Sequence, residues 1–74
     1  MEYSEAQLKL IQKKLQRGAK NLKDAKGFGA VIDAASYLTW VSHANLAGYD
    51  VDKETGNMYK ESGKITREYF NAGN

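Results

Sequence analysis

From Leu8 to Leu22 the apolar residues return at every third or fourth place: Leu8, Ile11, Leu15, Ala19 and Leu22. At about 100° per residue on a helical wheel they fall within an arc of roughly 80°. A strand repeats every second residue, so this pattern commits the first third of the chain to an amphipathic helix. Its start is marked as well. Ser4 followed by Gln7 fits a capping box, in which each side chain meets a free amide of the first turn. Glu2 and Glu5 lie near the positive end of the helix dipole, where negative charge is favourable. The helix is expected from about Ser4 to Asp24. Gly18 inside it costs about 1 kcal/mol relative to alanine, and Leu10, off the seam, is expected to be exposed.

The other side of this helix is basic. Residues 8–23, LKLIQKKLQRGAKNLK, hold Lys9, Lys13, Lys14, Arg17, Lys20 and Lys23 and no acidic residue. Lys9, Lys13, Arg17, Lys20 and Lys23 share an arc of roughly 120° away from the apolar seam. Lys9–Lys13 and Lys13–Arg17 are like charges four residues apart, each costing about 0.2–0.5 kcal/mol in a helix. The net charge of +2 conceals this asymmetry. Residues 1–27 carry seven Lys/Arg against three Asp/Glu, whereas residues 28–74 carry four against six.

KDAKGFG supplies late lysines and then two glycines, Gly27 and Gly29, which suit the close of a helix. A second helix is expected from about Phe28 to Ala47. Its apolar arc, through Phe28, Ala30, Val31, Ala34, Ala35, Tyr37, Leu38, Val41 and Ala44, covers roughly 200°. A helix that apolar needs cover on two sides. The first helix supplies one side, and the C-terminal part or another chain must supply the other.

In GYDVDKETGNMYKESG, two strand-like runs flank Lys53–Gly56, with Asp52 placed to accept amides and Gly56 suited to a left-handed turn position. This reads as a short hairpin. Ser62 or Thr66 then opens a short closing helix, ITREYF, expected to bury Ile65, Tyr69 and Phe70, and the tail NAGN is expected to fray. The expected fold is mainly α, or a small α+β variant. It consists of two antiparallel amphipathic helices, a short β-hairpin and a short C-terminal helix in one domain, residues 1–74. A chain of 74 residues buries only roughly 60% of its unfolded surface. There is no cysteine to staple it. Tight packing, self-association or ordering on a partner has to compensate, and a homodimer is one way to cover the second helix.

Candidate reactions find little support. Asp50, Asp52, Glu54 and Glu61 match positions 1, 3, 5 and 12 of a calcium loop, but Thr55 stands where that loop needs glycine for its sharp turn. Asp33, Ser36, Ser42 and His43 contain the residue types of a hydrolytic triad, yet all lie on one expected helix without a nucleophile elbow. Gly27-x-Gly29 lacks the preceding strand and third glycine of a phosphate-binding turn. One histidine and no cysteine make a zinc centre within the chain improbable. The reading is non-enzymatic, with no catalytic residue, metal or cofactor.

The basic face of Lys9, Lys13, Arg17, Lys20 and Lys23 is therefore the candidate binding surface, with Trp40, Tyr49 and Tyr59 as aromatic anchors. Two alternatives compete with an external partner: the face is merely solvated, or the acidic hairpin packs beside it. The favoured partner is a protein with an acidic surface. A small phage-type inhibitor that blocks a larger host complex is one form compatible with this size. The alternative is a small basic nucleic-acid-binding protein that sets helix 1 on phosphates and reads bases through Gln12, Gln16 or Asn21. Helix 1 has no Trp or Phe beside its leucines, so a membrane surface is not expected. The N-terminus MEYSEAQL lacks a basic, apolar leader, and no run approaches the ~18–20 residues of a span, so a soluble cytoplasmic protein is expected.

Overall fold

The computed structural model describes residues 2–62 and 66–70. Helix α1 spans Glu5–Asp24 and helix α2 spans Phe28–Leu46. Strands β1 (Asp50–Val51), β2 (Met58–Ser62) and β3 (Thr66–Tyr69) form an antiparallel sheet in the order β1-β2-β3. The fold is mainly α with a small β part, as the sequence predicts.

The capping box forms. The Ser4 amide donates to Gln7 Oε1 at 2.7 Å, and the Gln7 amide donates to Ser4 Oγ at 3.1 Å. At the far end the expected glycine stop is replaced by an extended residue, Ala25 (φ −75°, ψ 142°). The left-handed glycine, Gly27 (φ 63°), serves instead as the N-cap of α2. The short connection 25–27 folds the helices back antiparallel. Tyr3 Oη, ahead of α1, accordingly meets His43 Nδ1 near the end of α2 at 3.4 Å.

The core lies between the helices and the first hairpin. Ile11, Leu15 and Ala19 of α1 pack with Tyr37 and Ala44 of α2 and with Met58 of β2. Leu15 and Met58 are fully closed off from solvent, which contributes about 1.5–3 kcal/mol for each side chain. Gly18 allows α2 to come close, since a Cβ there would stand 2.9 Å from Tyr37 Cδ1. The cost in helix propensity read from the sequence thus coincides with a packing contact the sequence does not reveal.

The hairpin forms with Asp50 opposite Tyr59 and Val51 opposite Met58. Asp52 Oδ1 accepts the Glu54 amide at 3.0 Å, and Gly56 turns at φ 78°. The loop is held to α1 by Gln12, whose side chain is buried. Gln12 Oε1 accepts the Met58 amide at 2.6 Å, and Gln12 Nε2 donates to Asn57 Oδ1 at 3.3 Å. Gln16 Nε2 donates to the same Asn57 oxygen at 2.7 Å.

The expected closing helix is corrected. Thr66–Tyr69 is strand β3, with Tyr69 opposite Tyr59, Lys60 opposite Glu68 and Glu61 opposite Arg67. A six-residue helix gains too few hydrogen bonds to repay nucleation, whereas β2 offers an open edge. The Phe70 amide extends the ladder by donating to the Met58 carbonyl at 2.9 Å. Tyr69, expected to be buried, is exposed, while Phe70 is half-buried. Ile65 and the tail NAGN lie outside the described residues.

Candidate binding surface

Helix α1 presents its cations as the wheel predicts. Lys9, Lys13, Arg17, Lys20 and Lys23 are all exposed. Lys9 Nζ lies 3.7 Å from Glu5 Oε1 one turn earlier. Among the described residues, no carboxylate lies within 4.0 Å of Lys13, Arg17, Lys20 or Lys23. The acidic hairpin does not pair with them. Its Asp52 is engaged within the sheet, with Oδ2 at 3.8 Å from Arg67 Nη1 and accepting from Tyr69 Oη at 3.4 Å.

One edge of the basic face runs into a groove between the helices. Lys14, Arg17, Gly18 and Asn21 line it from α1, and Asp33, Ser36 and Trp40 line it from α2, around a volume of about 170 Å³. Half-buried Trp40 packs its ring at 5.4 Å and 44° to His43, which is itself within reach of the Tyr3 hydroxyl. On the wheel of α2, Trp40 lies on the same side as Asp33 and Ser36. Arg17 and Trp40 become neighbours only when two helices are set side by side, so a single-helix reading cannot find the pairing. The same holds for Lys14, which falls outside the predicted basic arc but lines the groove.

The other aromatic candidates lie elsewhere. Tyr49 meets Phe70 edge-on at 5.8 Å, with the Lys60 ammonium 4.6 Å from its ring centre. Tyr59 is 9% exposed, flanked by the Arg67 guanidinium at 4.4 Å and the Tyr69 ring at 5.5 Å. Both belong to the sheet and are not gathered with Trp40. Of the amides offered for reading bases, Gln12 and Gln16 hold the hairpin loop, and Asn21 alone remains at the groove.

Among the described residues no group of three His, Asp or Glu side chains is placed to hold a metal ion. No described helix is long and apolar enough to cross a membrane. No protein-family model, curated protein or solved structure matches this chain.

Proposed function

We propose that this chain is a non-enzymatic binding protein that seats the basic face of α1 against an acidic protein surface, with the Arg17–Trp40 groove as its anchoring edge. The observation that carries the reading is the set of exposed cations at Lys13, Arg17, Lys20 and Lys23, which no described carboxylate neutralises. Such a face raises the rate of encounter with a negative partner and sets its orientation. Arg and Trp are the residue types that most often anchor a protein interface. Internal use of Gln12 and Gln16 weighs against base reading and toward protein as the partner class. A body of 39 × 26 × 23 Å acts most simply by occupying its partner, as a small inhibitor blocking a larger complex does.

Affinity capture from the source cell, with and without nuclease treatment, tests the partner class. The expected result is one protein retained after nuclease. Loss of every captured species on nuclease treatment, together with duplex-DNA binding that collapses between about 50 and 200 mM salt, would transfer the face to nucleic acid.

A further inference from the structure

Helix α2 carries a second apolar face on the side away from the core. Phe28 is 88% exposed, and Val31, Ile32, Leu38 and Leu46 are between 62% and 68% exposed. On the wheel these residues lie within about 120°, centred opposite Tyr37 and Ala44. Residues 28–46 contain a single charged side chain, Asp33, and it lines the groove toward α1. The outer face is therefore uncharged along its whole length. Positions 28, 32, 35, 39, 42 and 46 advance by alternating steps of four and three. That spacing of 3.5 residues suits a helix that packs lengthwise on another helix, with Thr39 and Ser42 as small polar residues at its middle and Val31 and Leu38 along its margin.

We propose that this face docks a second copy of the chain, α2 on α2, antiparallel about a twofold axis near the middle of the helix. In that arrangement Phe28 meets Leu46 of the second copy, Ile32 meets Ser42, and Ala35 meets Thr39. Large residues then face small ones in the interior, and the bulkiest pairs close the two ends. A hollow of about 280 Å³ lined by Gly27, Phe28 and Val31 receives Leu46 of the second copy. A parallel pair would set Ala35 on Ala35 and Ser42 on Ser42, leaving a gap between large ends and forfeiting contacts. Antiparallel packing also opposes the two helix dipoles, and it buries no unpaired charge.

The area sets the strength. Nineteen residues make a helix about 28 Å long, so the stripe offers on the order of 400 Å² per copy. A standard stable interface uses about 800 Å² per partner, so a stripe about half that size makes a weak, transient dimer. A lipid surface fits less well, because residues 28–46 contain no Lys or Arg to flank the apolar face. Because α1 packs on the inner side of α2, the dimer carries its two basic faces on opposite outer sides.

Sedimentation equilibrium of the full chain, from about 1 to about 300 µM, tests the proposal. The expected mass rises from 8.2 kDa to twice that value, and Ile32→Glu stays monomeric with unchanged helical circular dichroism. The cysteine-free sequence allows a second arm that does not depend on that variant folding. Phe28→Cys mixed with Leu46→Cys should cross-link on mild oxidation, while neither should cross-link alone. A wild-type chain that remains monomeric throughout would overturn the dimer, as would a folded Ile32→Glu that still dimerises. Self-cross-linking of Leu46→Cys would overturn the antiparallel arrangement. A monomer that co-sediments with vesicles of phosphatidylcholine alone, and no longer does so as Ile32→Glu, would assign the face to lipid. None of these outcomes depends on Lys13 or Arg17, so the dimer and the proposed function stand or fall separately.

Discussion

Gly56 lies directly against the backbone of Leu15: a Cβ at position 56 would overlap the Leu15 carbonyl. The hairpin loop is thus pressed onto the middle of α1 at Leu15, which is fully buried. Gly27 shares the positive φ of Gly56 but has open space where its Cβ would be.

This contrast separates backbone strain from collision. Gly27→Ala should cost about 1–3 kcal/mol from backbone strain alone, because φ 63° with ψ −138° is a conformation that essentially only glycine adopts. Gly56→Ala adds displacement of the loop from α1 and should cost roughly 3 kcal/mol or more. In a small domain with about 5 kcal/mol in total, that removes more than half of the stability. Urea unfolding of the two variants measures the difference, and equal midpoints would contradict the packing described.

Gln12 makes a second prediction. Its carboxamide is buried and satisfies the Met58 amide. Gln12→Ala leaves that amide without a partner and should destabilise the fold by about 1–3 kcal/mol. Gln16→Ala, at an exposed site, should cost less than about 1 kcal/mol. Thermal melts of both variants check the order. A reversed order would remove Gln12 as the strut between α1 and the hairpin.

Much of the fold was legible in the sequence, and the exceptions have physical causes. The first helix carried its own period and its own capping box, so its start could be read locally. The closing segment could not. Thr66–Tyr69 becomes a strand because β2 offers an unpaired edge, a property of the assembled chain and not of those four residues. Likewise the basic face is visible on one wheel, whereas Lys14, Arg17 and Trp40 line one groove only once the two helices stand side by side. The amides of Gln12 and Gln16 looked free for recognition because their partner, Asn57, is more than 40 residues away in the chain.

Tyr37 gives a prediction in pH. Its buried hydroxyl has no hydrogen-bond partner among the described residues. Burial, and then the charge of Asp52, hold its pKa above the ordinary value of 10.0. The fold therefore resists loss of this proton more than the unfolded chain does. The resulting stability is fully present below pH 10.0 and is lost as pH rises through the higher folded value. Tyr37→Phe should change stability at neutral pH by no more than about 0.5 kcal/mol, since it removes an unsatisfied group. Its melting temperature should then fall less steeply than that of the wild type above pH 10.0. Parallel alkaline curves for the two proteins would contradict the buried environment described.

The central claim is that the exposed cations of α1 form the surface that meets the partner. Its most direct test is Lys13→Glu combined with Arg17→Glu, assayed for binding to the captured protein beside the wild type. The two positions lie outside the core, so circular dichroism and melting temperature should be retained. Binding should weaken by at least about tenfold, since several exposed charge contacts turn repulsive at once. A folded double variant that binds the partner as tightly as the wild type would contradict the account.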